Sequence, residues 1–355
     1  MSGPVRVGLV GLGYWGPHFA RIAFEHAEAE LVWCCDRSEE ALELPKRRYP
    51  QVSRTTDFHD VLNDDSVEAL VIATPTATHA ELAIAALEAG KHVLVEKPLA
   101  ASSDEIDLIE AARSDRVVMV GHTFVYNTAI AAIRDLVSGG ELGRVQYVDS
   151  IRAALGPIRQ DVNALWDLGA HDASIFLDVL PGRPSVVTAV AQDFLREGHP
   201  DVVYFSVRFD DGVLAHSHVS WLDPYKVRRV TVVGEERMAV FDDVAQDERF
   251  KILERGASYD APSQEARGQS FGEYRAVLRE GTTTIPRLPG REPLSTQFQE
   301  FLDAVREDRD PYSGIAPARD VVRVLEAAQR SLESGGAPEQ LGAESPLKAV
   351  RVQPD

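Results

Sequence analysis

A glycine-rich turn near the start of the chain constrains the fold most strongly. Gly11, Gly13 and Gly16 form the pattern G-x-G-x-x-G directly after the apolar run 5–10, and Asp36 ends the next apolar run 20 residues beyond Gly16. The glycine pattern alone is weak. A strand, a tight turn, a helix and an acid in this order, however, place a helix N-terminus against a pyrophosphate. The sequence therefore predicts a dinucleotide-binding unit; the alternative is a tight turn with a purely structural role.

The acid after the second apolar run also bears on the kind of dinucleotide. A carboxylate near the ribose 2′ position accepts a hydrogen bond from a hydroxyl and repels a phosphate, so Asp36 favours NAD. NADP stays open, because Arg37 and Ser38 could accommodate a phosphate if Asp36 turned away. Further candidates for cofactor contacts are Tyr14, Trp15, Thr74 and Pro75.

The chain predicts two domains of an α/β protein. From residue 5 to about 120, short β-branched runs alternate with helical patterns, which indicates a doubly wound Rossmann domain with a parallel sheet over residues 1–123. Beyond it, long alternating runs with few helices between them indicate a large, mostly antiparallel open sheet in a substrate-binding and oligomerisation domain over residues 124–355. Closing helices are predicted at 296–307 and 318–332, and they could pack back on the first domain.

Charge and composition exclude several classes of protein. The formal charge of −19 repels a nucleic-acid backbone, and no run approaches the roughly 20 apolar residues of a membrane span. Cys34 and Cys35 are adjacent in an apolar run and are predicted to be core residues of a reduced, cytoplasmic protein. His216 and His218 share a strand face without a third ligand at a recognisable spacing, so we expect no metal.

Four motifs carry a resemblance to a known family. They are GLGYWGPH at 11–18, ATPTATH at 73–79, EKP at 96–98 and VGHTFVYN at 120–127. Together they resemble the Gfo/Idh/MocA oxidoreductase family. The resemblance implies that Lys97 bridges the substrate hydroxyl and the nicotinamide region and that Glu96 positions this lysine. In the family, the bond at the position before Pro98 is often cis. The alternative for Lys97 is an ordinary exposed lysine after a strand.

A helical segment, WDLGAHD, supplies two further catalytic candidates. Asp167 and His171 are four residues apart, so an α-helix would place them on one face. Removing a hydride from a carbinol carbon requires a base for the hydroxyl proton, and histidine suits that task near neutral pH. The pair also matches the acid and histidine of the family's inositol and sugar dehydrogenases. We predict that His171 is the base, that Lys97 polarises the hydroxyl and that Asp167 orients the imidazole or binds a sugar hydroxyl. The sequence leaves the choice of base between Lys97 and His171 open.

The surrounding loops hold weaker candidates. Thr78 and Glu81 form the T-x-x-E pattern of a capping box, which makes His79 either a first-turn residue or a cofactor contact. An acidic helix start and an interior histidine are the alternative for Asp167 and His171. Candidates for contacts with substrate hydroxyls or phosphates, besides the catalytic residues, are Tyr126, Arg152, Arg159 and Asn163.

The resemblance implies NAD-dependent interconversion of a secondary alcohol and a ketone on a sugar, with C3 of a nucleotide sugar as the favoured position. The alternatives are a keto-sugar reductase of deoxysugar formation, an inositol or cyclitol dehydrogenase, and a non-catalytic nicotinamide-binding sensor. An unprotected face on the large sheet further predicts a homodimer or homotetramer.

Overall fold

A computed structural model describes residues 3–259 and 276–342. Its first domain contains a parallel sheet in the order β3-β2-β1-β4-β5-β6 within these ranges, which is the strand order of dinucleotide-binding folds. The strands are β1 (Val5–Val10), β2 (Ala29–Cys35), β3 (Ser53–Thr55), β4 (Ala69–Ile72), β5 (His92–Glu96) and β6 (Val118–Gly121).

Five helices connect these strands and cover both faces of the sheet. Side chains of Ser38, Asp57 and Ser102 accept hydrogen bonds from backbone N–H groups at three of the helix starts. The helices are α1 (Gly16–Glu25), α2 (Glu39–Arg48), α3 (Phe58–Leu62), α4 (His79–Glu88) and α5 (Ser103–Ala112). The predicted doubly wound sheet is confirmed. Its short strand β3 was not predicted, because its three residues, Ser-Arg-Thr, carry no apolar run.

The second sheet contains nine strands within the described ranges, in the order β16-β13-β12-β11-β7-β10-β9-β8-β17. All of its neighbours are antiparallel except β7 and β10, which run parallel, so the prediction of a large, mostly antiparallel sheet is confirmed. Its strands are β7 (Val145–Leu155), β8 (Pro184–Gln192), β9 (Val202–Phe209), β10 (Leu214–Ser220), β11 (Leu222–Gly234), β12 (Met238–Asp242), β13 (Phe250–Leu253), β16 (Thr283–Thr284) and β17 (Glu339–Gln340). Strands β14 (Gly256–Tyr259) and β15 (Ala276–Arg279) pair antiparallel in a separate two-stranded sheet.

The helix that carries the second half of the candidate site is not α-helical throughout. Leu165–Gly169 form a π-helical turn, and an α-helix, α7 (Ala170–Val179), continues from it. The uniform α-helix predicted for this segment is therefore wrong at its start. Asp167 lies in the π turn, a type of turn that occurs often at functional sites.

Three remaining helices complete the packing: α6 (Thr128–Ser138), α8 (Pro293–Glu307) and α9 (Ile315–Glu333). Helix α8 buries its apolar face in the core of the first domain, with Phe298 and Phe301 packed in the same cluster as β1 and α1. Helix α9 contributes to both domains, because Val322 packs in the first domain and Leu325 in the second. No helix in the described ranges is long and apolar enough to cross a membrane.

Candidate active site

The glycine turn between β1 and α1 is shaped to admit a ligand backbone. Gly11 has a φ of +92°, and a Cβ there would lie 2.6 Å from the Ala73 carbonyl oxygen. A Cβ on Gly16 would lie 2.2 Å from the Gly11 oxygen, whereas a Cβ on Gly13 would meet no protein atom within 4 Å. Gly11 and Gly16 therefore serve the turn itself, and the space at Gly13 suits the approach of a dinucleotide pyrophosphate.

Asp36 closes the other side of the turn. Its carboxylate accepts hydrogen bonds from the backbone N–H of Leu12 at 2.6 Å and of Ser38 at 2.8 Å, so it is held against the glycine turn. Arg37 is exposed beside it, and Tyr14 is 74% exposed at the tip of the turn with its ring edge-on to Trp15. A ribose diol could bond to the carboxylate there, and a 2′-phosphate would meet a negative charge.

The segment after β4 differs from the predicted capping box. The Thr78 hydroxyl donates to the Pro75 carbonyl and to the Thr74 hydroxyl, both at 2.8 Å, and does not cap α4. A short 3-10 turn at Thr76–Thr78 precedes the helix and redirects this side chain, so the capping-box prediction is wrong. His79 is buried, and its ring nitrogens lie 2.8 Å from the Pro98 oxygen and 2.9 Å from the Thr74 oxygen. It therefore links the Thr74 turn to the EKP segment.

Lys97 lies directly after β5 and is not the exposed lysine of the alternative interpretation. It is 5% exposed, and the bond to Pro98 is cis. Its Nζ donates to the Asp167 backbone oxygen at 2.6 Å and to Asp167 Oδ1 at 3.1 Å. The structure thus brings together two predicted catalytic residues that are 70 positions apart, one from each domain.

Asp167 is the centre of a wider set of hydrogen bonds. Trp221 Nε1 donates to its Oδ2 at 3.2 Å, and an Arg159 Nη1 lies 3.4 Å from its Oδ1. Burial would raise the pKa of this carboxyl group, but Lys97 and Arg159 outweigh burial and hold the pKa below its usual value. Asp167 is therefore an anion that fixes the lysine ammonium group.

His171 does not take part in that set of contacts. Its Nδ1 has no hydrogen-bond partner among the described residues, and its ring stands edge-on to Phe124 at 5.2 Å between centroids. Burial, followed by the charges of Lys97 and Arg152, lowers its pKa well below the usual 6.5. The imidazole is therefore neutral at neutral pH, and Asp167 orients the lysine rather than this ring.

Glu96 and His122 are buried polar residues that both interact with Lys97. Glu96 Oε2 accepts from the Lys97 backbone N–H at 3.2 Å, while Oε1 lacks a partner among the described residues. Burial raises the pKa of Glu96 to about 7. His122 is 2% exposed, neither ring nitrogen has a partner in the described part of the chain, and burial with the Lys97 charge lowers its pKa to about 3.

The other predicted substrate contacts have structural partners. The Tyr126 hydroxyl bonds to Ser313 Oγ at 2.9 Å, and Asn163 donates to Gln329 while accepting from the Trp166 N–H. These bonds do not favour a role for Tyr126 or Asn163 in substrate binding, which stays a prediction. Arg159 differs from them, because it reaches Asp167.

A cavity of about 400 Å³ adjoins this site. Trp221 and Arg159 line it and also contact Asp167, so the cavity and the lysine–aspartate pair share two residues. Its lining combines apolar side chains with two guanidinium groups and a buried histidine Nδ1 that has no partner in the described ranges. The lining residues are Ile158, Arg159, Gln160, Leu195, Arg196, His199, Asp201 and Trp221.

In the part of the chain that the structure describes, no group of three or more His, Cys, Asp or Glu side chains could hold a metal ion. His216 Nδ1 lies 3.0 Å from Ser206 Oγ, and His218 stacks on Tyr204 with ring centroids 4.4 Å apart. Cys34 and Cys35 are free and buried, as predicted for core residues.

Comparison with known proteins identifies the family. Residues 5–122 match the oxidoreductase family model described as an NAD-binding Rossmann fold, and residues 130–240 match the GFO/IDH/MocA C-terminal domain. The chain belongs to the Gfo/Idh/MocA oxidoreductase family. The glycine turn, Asp36 and the space at Gly13 fit the NAD that this family model implies, and the family assignment makes the protein an oxidoreductase.

Other members of the Gfo/Idh/MocA family are similar over most of the chain. A scyllo-inositol 2-dehydrogenase (NADP(+)) of Bacillus subtilis (strain 168) is 25% identical, covering 92% of this chain and 93% of its own. A UDP-N-acetylglucosamine 3-dehydrogenase of Acidithiobacillus ferrooxidans is 25% identical, and the match covers 91% of this chain and 96% of that protein. The crystal structure of an oxidoreductase from Magnetospirillum magnetotacticum MS-1 is 31% identical, with a TM-score of 0.75, covering 92% of this chain and all of that one.

Three residues of this Gfo/Idh/MocA site were not predicted as site residues from the sequence. Trp221 ends an apolar strand and looks like an ordinary core residue, and Phe124 and His122 lie within the VGHTFVYN motif without a spacing that indicates a role. Only the fold brings these side chains to Asp167, His171 and Lys97. The occurrence of a histidine within a motif shared with a family was the one available signal.

Proposed function

We propose that the protein interconverts a secondary alcohol and a ketone on a sugar with NAD, acting at C3 of a nucleotide sugar. The observation that carries this proposal is the buried Lys97–Asp167 pair, joined across the two domains at 3.1 Å and placed at the carboxyl end of β5. Open α/β sheets bind their ligands at that end. NAD supplies the hydride acceptor when it is bound.

Protein side chains bind the substrate hydroxyl and transfer its proton. The ammonium group of Lys97 has two of its three donors directed at Asp167, which leaves one to hold the substrate hydroxyl. The neutral imidazole of His171 accepts the hydroxyl proton as the ketone forms, and returns it in the reverse direction. Asp167 keeps the lysine oriented. Reduction of a keto-sugar uses the same groups in reverse.

The first experiment tests this chemistry directly. After removal of bound nucleotide, nicotinamide absorbance is followed with NAD or NADP against nucleotide sugars, free hexoses and inositols. We expect turnover on a nucleotide sugar, and a loss of about 100-fold or more in kcat/KM for both Lys97→Met and His171→Ala. The controls are Lys46→Met and His59→Ala, whose side chains are exposed and far from the motif positions.

Two outcomes would contradict parts of the proposal. Nearly full turnover by His171→Ala, together with inactivity of Lys97→Met, would reassign the proton acceptor to Lys97. Tight NAD binding without turnover on any sugar or cyclitol in either direction would favour the non-catalytic sensor.

The adjoining cavity supports a substrate larger than a cyclitol. Its volume of about 400 Å³ lies within the range of small-molecule sites, and its mixture of Leu195, Trp221 and guanidinium groups suits a ring with phosphates. A cyclitol bound at Lys97 would leave this space unused. We therefore favour a nucleotide sugar over free inositol, which is the second candidate because a similar relative acts on it.

A cavity-filling variant separates these two candidates. Leu195→Trp enlarges a side chain that is 56% exposed at the cavity wall, so folding should tolerate it. We expect kcat/KM for a nucleotide sugar to fall by roughly tenfold or more, while the value for a free hexose or inositol stays within about twofold. Equal effects on small and large substrates would argue against binding of the nucleotide in this cavity.

Two further proposals accompany the activity. The cytoplasmic location rests on the two free cysteines, which are common in reducing compartments. The homo-oligomer rests on the outer face of the second sheet.

A further inference from the structure

Two arginines stand opposite each other on the sheet face that meets the candidate site. Arg152 of β7 and Arg228 of β11 are direct partners in an antiparallel register, so their side chains project from the same face. The next pair, Ile151 and Arg229, projects from the opposite face, and Arg229 is exposed. Like charges placed directly opposite destabilise a sheet unless each is compensated.

Arg152 is fully compensated. It is 4% exposed, and its Nε and Nη2 lie 3.0 Å and 2.9 Å from Asp172 Oδ1. Asp172 Oδ2 accepts from the Ser217 hydroxyl at 2.7 Å, and the Arg152 guanidinium lies over the Phe124 ring at 4.1 Å. This network engages both oxygens of Asp172, Oδ1 with Arg152 and Oδ2 with Ser217.

Arg228 lacks a comparable partner within the described ranges. Its ion pair there is with Asp243, at 3.6 Å between Nη1 and Oδ2, and Asp243 also pairs with Arg249 at 3.1 Å. One long contact leaves most of the five N–H donors of a guanidinium without a charged acceptor. The Arg228 side chain is 38% exposed, so an incoming ligand can reach it.

The position of Arg228 relates it to the reacting groups. Its facing partner Arg152 lies over the Phe124 ring at 4.1 Å, and that ring stands 5.2 Å from the ring of His171. Arg228 therefore lies on the face of the sheet that meets the proposed base, and its charge is one of the causes that lower the pKa of His171. Burial and the facing Arg152 lower the pKa of Arg228, the direction expected of a cation that lacks compensation.

We propose that Arg228 binds an anionic group, a carboxylate or a phosphate, that the substrate carries on the sugar that is oxidised. A planar guanidinium matches both groups through paired hydrogen bonds. The proposal rests on the proposed function, because it places the anion relative to the reaction at Lys97 and His171. It makes Arg228 a specificity-determining residue that selects acidic or phosphorylated sugars over neutral ones.

The test measures binding without turnover. Protein loaded with NADH, which cannot oxidise an alcohol, is titrated with pairs of ligands that differ in one group, and NADH fluorescence reports binding. One pair is UDP-glucose and UDP-glucuronate; the other is methyl glucoside and its 6-phosphate. We expect the wild-type protein to bind at least one anionic member about tenfold more tightly than its neutral partner. Which pair shows the preference distinguishes a carboxylate from a phosphate.

Variants separate recognition from a structural role. Arg228→Gln should reduce the preference to less than about threefold, whereas Arg229→Gln, on the opposite face, should leave it intact. Asp243→Asn removes the charged partner of Arg228, so this variant should keep or increase the preference for the anionic ligand. If the ion pair had only a structural role, Asp243→Asn would lose the preference as Arg228→Gln does. If Arg228→Gln does not fold, Arg228→Lys, with a point charge in place of the fork, should show a reduced preference.

Several results would overturn the proposal. These are equal binding of both members of each pair by the wild-type protein, an undiminished preference in the Arg228 variants, and no detectable binding of any ligand. A failure of the proposed function is separate, since it would show as absence of nicotinamide turnover while the Arg228-dependent binding preference persisted.

Discussion

Glu96 is a buried carboxyl group whose ionisation opposes folding. Burial raises its pKa from 4.5 to about 7, so the folded chain holds this proton more tightly than the unfolded chain does. The corresponding stability is complete below pH 4.5 and is lost as pH rises towards 7. A shift of this size corresponds to about 3 kcal/mol.

We therefore expect Glu96→Gln to change how stability depends on pH. The amide cannot ionise, so the variant does not lose this stability as pH rises. The free energy of unfolding of the variant, relative to that of the wild-type protein, should therefore increase between pH 5 and 8 by up to about 3 kcal/mol. Urea unfolding of the NAD-free proteins at several pH values measures this. Glu88→Gln, at an exposed position, is the control and should run parallel to the wild-type protein. A constant difference across this pH range would show that Glu96 is not protonated by burial.

For single residues, the sequence predicted which side chains are catalytic candidates better than it predicted their hydrogen-bond partners. Lys97, Asp167 and His171 were predicted from their residue types and motifs, and the structure joins Lys97 to Asp167. The partner of Asp167 was not predictable, because the choice of this carboxylate between an imidazole and an ammonium group depends on the relative position of two domains. The opposition of Arg152 and Arg228 depends likewise on a strand register that turns and bulges determine.

At the scale of one element, different glycines of the turn between β1 and α1 serve folding and ligand binding. Gly13→Ala adds a methyl group where no protein atom lies within 4 Å, so we expect stability to change by less than about 0.5 kcal/mol. The same methyl group would fill the space left for the pyrophosphate, so the Kd for NAD should rise by roughly tenfold or more. Calorimetric titration with NAD and urea unfolding measure the two effects.

Matched glycine variants complete this experiment. Gly16→Ala forces a Cβ against the Gly11 oxygen at 2.2 Å, so it should lose about 1 to 3 kcal/mol of stability as well as NAD affinity. Gly290→Ala also meets no atom within 4 Å but lies outside the turn, and it should change neither quantity. Unchanged NAD affinity in Gly13→Ala would place the pyrophosphate elsewhere.

Elements with a strong pattern were predictable and those without one were not. The apolar run 5–10 is strand β1, and the closing helices predicted at 296–307 and 318–332 agree with α8 and α9 within three residues. Strand β3 pairs with β2 although it has no apolar run of its own, and the π turn at Leu165–Gly169 has the same local sequence pattern as an α-helix. In both cases tertiary context, which a sequence window does not contain, decides the local structure.

For the whole molecule, the second sheet has one face without a covering layer in the described ranges. Tyr204, 41% exposed, stacks on His218, and the neighbouring outward residues Tyr147, Val190 and Leu214 are 45%, 56% and 41% exposed. We predict that a second copy of the chain covers this face and gives a dimer or tetramer. Tyr204→Glu should lower the mass measured by light scattering. Leu108→Lys, at a 59% exposed position of α5, should not, and a monomeric wild-type protein would contradict the prediction.

The return of helix α8 to the first domain has a consequence during synthesis. Six side chains of helix α8 complete an apolar core whose other buried side chains belong to residues 5–119; they are Leu294, Phe298, Phe301, Leu302, Ala304 and Val305. The ribosome reaches residue 305 only 183 positions after residue 122, a delay of roughly 10 to 40 s at bacterial and eukaryotic elongation rates. The first domain is therefore synthesised long before helix α8, so this part of its apolar core is completed only when the last part of the same polypeptide follows.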